Sequence, residues 1–201
     1  MKFLQAAGAR IVPIIREESE ESILKKVSML DGIFYPGGNG DYGAPAQLVW
    51  DEIIKQNDAG HFYPAWGTCL GYEIFALLTA TDPDTMWNTD SEIHHVSLPI
   101  EFTMDTSESS MFCQLEDGMV PEFQTGNYTY NSHKYSIDPK KLETDAKFGD
   151  FWTVTSTSKD FKGTTFIASM EAKNYPIMGT QFHPEKATQI WYDGVGVNHT
   201  W

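Results

Sequence analysis

Strand-like and helix-like segments alternate along the first 80 residues of the chain. Short apolar stretches are each followed by a segment in which apolar residues recur every three or four positions, the spacing of one helix face. The predicted elements are a strand over 10–15, a helix over 22–30, a strand over 33–35, a helix over 44–57, a strand over 62–66 and a helix from residue 70. This order places successive strands in parallel, so the sequence predicts an α/β fold with a doubly wound sheet.

The second half of the chain is richer in strands. The candidate strands lie at 96–102, 127–137, 151–158, 164–172 and 176–182, and a short helix is predicted near 139–148. These strands would add antiparallel members to the sheet. Because no repeat, low-complexity tract or linker interrupts the sequence, residues 1–201 are predicted to form a single domain.

The charge of the chain excludes several classes of partner. Acidic residues number 28 against 14 basic ones, which gives a formal net charge of −14. Such a surface repels nucleic acid and anionic membranes, so we expect no nucleic acid and no membrane partner. The most apolar stretch, 70–80, is too short to span a bilayer. The first ten residues are predicted to be the end of a helix capped by Gly8 rather than a signal peptide, because Gln5 interrupts their apolar run.

The sequence Gly-Thr-Cys-Leu-Gly at 67–71 stands between a predicted strand and a predicted helix. A turn this sharp crowds the backbone two residues before and after its centre, and glycine relieves that crowding. Cys69 would then project from the carboxyl ends of the strands, where open α/β sheets build their sites. The helix N-terminus would lower the thiol pKa, and the N–H of Leu70 could donate to an oxyanion. Cys69 is therefore a candidate nucleophile, although a buried cysteine in a glycine-rich turn would give the same pattern.

A cysteine nucleophile needs a base, and His183 is the best placed of the six histidines. It ends a predicted apolar strand, so it would emerge at the same edge of the sheet as Cys69. Since Pro184 restricts His183 to an extended backbone, the carboxylate of Glu185 would reach the imidazole. Two alternatives stay open: a surface His-Pro-Glu turn, and a disulfide with Cys113 that would prevent Cys69 from acting.

Segments along nearly the whole chain resemble, in order, proteins of the class I glutamine amidotransferase-like superfamily, and within it the gamma-glutamyl hydrolase family. The segments are AGARIVPI, DGIFYPGG, PAWGTCLGYE, NSHKYS and YPIMGTQFHPEKA. The resemblance implies a flavodoxin-like, mostly parallel sheet with helices on both faces. It also implies a cysteine peptidase that hydrolyses the γ-glutamyl amide bonds of folate poly-γ-glutamates through a thioester. Glu73 favours this family, because amidotransferases usually carry glutamine at that position.

The resemblance also implies a role for individual residues. Cys69 would be the nucleophile, His183 the general base and acid, and Glu185 the group that orients His183. Gly38 and Leu70 would supply oxyanion amides. No metal and no cofactor is implied.

A further histidine, His133, is implied to lie near the substrate, with a half-buried strand residue as the alternative. The expected assembly is a homodimer, and the expected location is lysosomal, vacuolar or secreted. Glycosylation sequons at Asn127 and Asn198 would suit such a glycoprotein.

Members of this family begin with a further strand and end with a further helix. We therefore expect the chain to be incomplete at both ends. Two other functions stay open: a glutamine amidotransferase subunit, which uses the same chemistry on glutamine, and a non-catalytic protein that retains the fold.

Overall fold

The computed structural model describes residues 2–82, 87–88, 93–116 and 118–187. The strands are β1 (Ile33–Tyr35), β2 (Ala65–Thr68), β3 (Trp87–Asn88), β4 (Ile93–Leu98), β5 (Glu101–Phe102), β6 (Thr129–His133), β7 (Ser136–Ile137), β8 (Trp152–Lys159), β9 (Thr165–Ala172) and β10 (Ile177–Thr180). The helices are α1 (Lys2–Ala6), α2 (Glu20–Val27), α3 (Ala44–Asp58), α4 (Leu70–Thr79), α5 (Met119–Thr125), α6 (Lys141–Thr144), α7 (Ala146–Phe151) and α8 (Pro184–Ala187).

A mixed sheet forms the centre of the described part, with strand order β1-β2-β10-β9-β8-β5. The strands β1, β2 and β10 run parallel, and Thr180 of β10 pairs with Thr68 of β2. The strands β9, β8 and β5 continue the sheet in antiparallel pairs. Two antiparallel pairs, β3–β7 and β4–β6, lie outside this sheet. The predicted α/β class is confirmed, as is the addition of antiparallel strands by the second half of the chain.

The strand predicted over 10–15 is wrong, because this segment has no regular secondary structure. Pro13 has no N–H to donate to a neighbouring strand, and its carbonyl accepts a hydrogen bond from Nζ of Lys26 at 2.7 Å. The N–H of Ile15 donates to Oε1 of Glu18 at 2.7 Å. Side chains thus satisfy backbone groups that a sheet would otherwise pair.

The predicted helices form with shifted bounds, and local capping sets where they begin. Helix α2 starts at Glu20 because the Ser19 side chain accepts from the N–H of Ser22 at 3.2 Å. The helix predicted near 139–148 forms as two short helices, α6 and α7. The side chain of Asp145 caps α7 by accepting from the N–H of Phe148 at 3.1 Å.

Two apolar clusters hold the sheet and its surrounding elements together. The main cluster joins α2, α3 and α4 to the sheet, and Tyr72 and Phe75 of α4 are fully buried in it. The second cluster joins β4 to β9 and includes Phe166 and Phe182. Since α4 and β2 are both built into the main cluster, the turn between them is held on both sides. Within the described residues, the helices lack the combination of length and apolar character that a membrane span requires.

Candidate active site

Cys69 occupies the turn between β2 and α4. Its φ of 50° and ψ of −110° are a backbone conformation that residues other than glycine rarely adopt. The N–H of Cys69 donates to the carbonyl of Thr180 at 2.8 Å, and its carbonyl accepts from the N–H of Glu73 at 2.9 Å. Strand β10 and helix α4 therefore hold Cys69 in a strained conformation, as is common at functional sites.

The glycines on either side of this turn are required by close packing. An ideal Cβ on Gly67 would lie 2.8 Å from the backbone nitrogen of Tyr72. An ideal Cβ on Gly71 would collide with the carbonyl oxygen of Tyr35. Both positions therefore exclude larger residues. The crowding at Gly67 arises within the turn, as predicted, whereas the crowding at Gly71 comes from Tyr35 of the strand β1.

The surroundings of Cys69 oppose its ionisation. Burial, and next the nearby carboxylate of Glu73, raise the pKa of the Cys69 thiol to about 12. The N–H of Leu70 and the ammonium of Lys186 lower this pKa, but less strongly. The helix N-terminus thus acts in the expected direction and is outweighed by burial. A thiolate at Cys69 needs a proton acceptor beside it.

His183 and Glu185 form a close pair after β10. Nδ1 of His183 lies 2.7 Å from Oε1 of Glu185, and the imidazole is buried. The backbone N–H of His183 donates to the carbonyl of Tyr130 at 2.8 Å, and the two rings pack edge to face at 6.0 Å. Because Nδ1 is held by the carboxylate, Nε2 is the nitrogen left for other partners.

The side chains of His183 and Cys69 approach each other beside Gly37. An ideal Cβ on Gly37 would lie 2.6 Å from Cε1 of His183 and 3.2 Å from Cβ of Cys69. Gly37 was not among the predicted site residues, and the double glycine at 37–38 is the signal that could have found it. Its neighbour Gly38 is exposed, and a Cβ there would meet nothing within 4 Å. The predicted oxyanion role of the Gly38 amide stays a prediction.

His133 is more deeply buried than a half-buried strand residue, with 4% of its surface exposed. Its Nδ1 lies 2.9 Å from the carbonyl oxygen of Tyr135, and its Nε2 lies 3.3 Å from Oδ1 of Asn131. Burial lowers the pKa of His133 to about 4, and the proximity of His183 lowers it as well. The ring is therefore neutral near pH 7, and its contact with substrate stays a prediction.

A buried acid lies one helical turn after the nucleophile. Oε1 of Glu73 accepts a hydrogen bond from Nε2 of Gln181 at 2.9 Å. Burial raises the pKa of Glu73 to about 7, and the bond from Gln181 lowers it only in part. The charge beside Cys69 therefore depends on pH near neutrality.

Both cysteines are free thiols, which excludes the disulfide alternative. Cys69 is buried and Cys113 is exposed. The structure thus brings Cys69, Leu70 and the His183–Glu185 pair together and leaves Cys113 without the turn geometry of Cys69.

Residues 4–191 match the family model of class-I glutamine amidotransferases. Curated relatives include gamma-glutamyl hydrolase B of Dictyostelium discoideum, 31% identical over 206 residues, and gamma-glutamyl hydrolase of Rattus norvegicus, 34% identical over 205 residues. These alignments cover 100% and 99% of this chain, but the chain spans only 59% and 63% of the length of those relatives. The resemblance to gamma-glutamyl hydrolases is confirmed.

A solved structure supports the fold alone. The glutaminase domain of Trypanosoma brucei CTPS, solved with bound acivicin, superposes with a TM-score of 0.57 at 18% identity. The superposition covers 96% of this chain and 78% of that chain. The family model covers nearly all of the sequence, and the chain therefore belongs to the class-I glutamine amidotransferase family.

Proposed function

We propose that this chain is a gamma-glutamyl hydrolase, a cysteine hydrolase of γ-glutamyl amide bonds that acts on folate poly-γ-glutamates. The observation that carries the proposal is the strained Cys69 beside the 2.7 Å pair of His183 and Glu185. A nucleophile, a base and a group that orients the base are the parts that cysteine hydrolases need. The curated relatives named gamma-glutamyl hydrolase support the proposal that the bond cleaved is a γ-glutamyl amide.

In the proposed mechanism, the first step makes a thioester. Nε2 of His183 takes the proton from Sγ of Cys69, and the resulting imidazolium offsets the burial that disfavours an isolated thiolate. The thiolate attacks the γ-carbonyl carbon, and the N–H groups of Leu70 and Gly38 donate to the oxyanion. The C–N bond then breaks as His183 donates its proton to the leaving amine. The products are a γ-glutamyl thioester, which retains the shortened folate as its acyl group, and a released glutamate or glutamate oligomer that carries the new amine.

The second step returns the enzyme to its starting state. His183 takes a proton from a water molecule, which attacks the thioester carbonyl. The C–S bond breaks, the proton returns to the Cys69 sulfur, and the γ-carboxylic acid leaves and loses its own proton to solvent. Throughout both steps Glu185 holds Nδ1, so the ring keeps one tautomer and presents Nε2 to the reacting atoms.

Glutamine hydrolysis is the second candidate, because the matched family is that of the glutamine amidotransferases. The same residues would attack the side-chain amide of glutamine and release ammonia. Glu73 and the curated hydrolase relatives favour the first candidate.

The two candidates are separated by assaying one preparation with a folate pentaglutamate and with glutamine. We expect hydrolysis of the pentaglutamate by the parent and by Cys113→Ala, whose thiol lies outside the turn. Cys69→Ala should lower kcat by roughly a thousandfold or more. A preference for glutamine would select the second candidate. Unchanged hydrolysis in Cys69→Ala would contradict both.

We further propose a single domain over 1–201, a homodimer, and a glycoprotein of folate metabolism that is lysosomal, vacuolar or secreted. The resemblance to gamma-glutamyl hydrolases supports these properties, and Asn127 is exposed before β6, as a glycan requires. Asn198 lies outside the described residues. Intact mass before and after glycosidase treatment tests for glycans, and light scattering tests for the homodimer.

A further inference from the structure

A bulge in β4 lies beside the candidate active site. The register of β4 against β6 shifts so that His94 and His95 stand opposite Ser132 alone. Ser132 is the residue whose carbonyl oxygen lies 3.8 Å from Sγ of Cys69. Bulges re-aim side chains and are frequent next to active sites.

The bulge holds His95 in the left-handed region, with φ of 53°. Residues other than glycine adopt this region at a conformational cost, and such strain concentrates at functional sites. Glycine would adopt the same backbone without that cost. The backbone therefore gives no reason for a histidine at this position, and its side chain is the part of the residue that could supply one.

The imidazole of His95 reaches a tyrosine that contacts the proposed base. Nδ1 of His95 lies 2.6 Å from the phenol oxygen of Tyr130, a hydrogen-bonding distance. Tyr130 is 2% exposed, and its ring packs edge to face against His183 at 6.0 Å. Its carbonyl also accepts the backbone N–H of His183, and the ammonium of Lys186 lies 5.0 Å from its ring centroid.

These contacts complement the bond from Glu185 to His183. A single hydrogen bond at Nδ1 fixes one point of the imidazole and leaves the ring free to tilt about it. The edge-to-face contact with Tyr130 restrains that tilt from a second direction. This restraint on His183 depends on the Tyr130 ring keeping its position, and the hydrogen bond to His95 fixes the phenol end of that ring.

We propose that His95 is a positioning residue that acts through Tyr130 to hold the imidazole of His183 toward Cys69. This inference rests on the proposed function in one respect, namely that His183 is the proton acceptor of Cys69. It adds a residue of the β4 bulge to the nucleophile, the base and the acid that orients the base.

The test measures how fast Cys69 reacts with iodoacetamide at fixed neutral pH. A Cys113→Ser background removes the exposed thiol, so that alkylation reports Cys69 alone. The variants are Tyr130→Phe, which keeps the ring and removes the hydroxyl, and His95→Gly and His95→Asn, which both accept a left-handed backbone. The control is His94→Ala, an exposed neighbour in the same bulge.

We expect Tyr130→Phe and His95→Gly each to slow alkylation by about three- to tenfold, the effect of one hydrogen bond. The double variant should be no slower than either single variant, because both remove the same interaction. His95→Asn should recover most of the rate, since its amide can still bond to the phenol. In the peptidase assay, kcat should fall by a similar factor while KM stays unchanged.

Three results would overturn the inference: single-variant rates within about twofold of the parent, effects that multiply in the double variant, or an equal loss in His94→Ala. If His95→Gly does not fold, the alkylation rates of Tyr130→Phe and His95→Asn still test the inference. Alkylation requires no substrate. The expected alkylation pattern in a protein that does not cleave γ-glutamyl bonds would therefore reject the proposed function and leave this inference in place.

Discussion

Glu73→Gln should stabilise the protein at neutral and alkaline pH and leave its stability nearly unchanged in acid. The Glu73 side chain is 6% exposed, and burial raises its pKa from 4.5 to about 7. Oε1 of Gln181 is buried and accepts no hydrogen bond from any described residue. A carboxylate at Glu73 has no proton to offer that oxygen, whereas a protonated carboxyl or a glutamine amide does.

The direction of this stability change with pH follows from how tightly the folded and unfolded states bind the Glu73 proton. The folded protein holds the Glu73 proton more tightly than the unfolded chain does, because the folded pKa is higher. The resulting stabilisation is complete below pH 4.5 and is lost as the pH rises through about 7. A shift of this size corresponds to about 3 kcal/mol of unfolding free energy. Glutamine carries no charge at any pH, so the unfolding free energy of the variant does not fall in this way as the pH rises.

Urea unfolding of the parent and the variant between about pH 4 and pH 8 measures the effect. The variant should be equal to the parent at the acidic end and more stable by about 3 kcal/mol at the alkaline end. Glu116→Gln, at an exposed position, controls for the loss of one negative charge. A stability difference that stays constant with pH, or a variant that is less stable than the parent at pH 8, would refute the reasoning.

Three further outcomes test the site. Gly37→Ala should lower kcat by roughly a hundredfold, because its Cβ would displace the His183 ring. The control is Gly38→Ala, which should retain most of the activity because its Cβ meets nothing within 4 Å and its N–H is kept. Equal losses of kcat in the two variants would contradict this prediction. Glu185→Gln should lower kcat with little change in KM, as steady-state kinetics will show; a rise in KM alone would assign Glu185 to binding. Moderate salt should raise kcat/KM for long polyglutamates more than for a diglutamate, because a protein of charge −14 repels them at long range. A steady fall with salt would indicate a basic cleft instead.

Much of the fold followed from local patterns. The periodicity of apolar residues located α2, α3 and α4, and the glycines around Cys69 indicated a sharp turn, because helix formation and steric crowding depend on residues close in sequence. The pairing of His183 with Glu185 was predicted from their closeness in sequence, but the extended backbone assumed for it is wrong, because Glu185 lies in the first turn of α8.

Prediction failed where the result depended on contacts between distant segments. The segment over 10–15 has the composition of a strand, yet its backbone is satisfied by side chains from Glu18 and Lys26. Gly37 gave no sign of which side chains it would meet, because His183 and Cys69 lie far from it in the chain. The bulge at His95 depends on the register between β4 and β6, which no short stretch of sequence encodes.

The sequence by itself determined the chemical groups of the site: a thiol at a glycine turn, an imidazole, and a carboxylate two residues further on. Only the tertiary structure decided the ionisation of Cys69 and of two buried groups near it, Glu73 and His133. Burial raises the pKa of Cys69 to about 12 and that of Glu73 to about 7, and it lowers that of His133 to about 4. The physical reason is that the cost of a buried charge depends on everything packed around it in three dimensions, whereas residue type and spacing are properties of the chain alone.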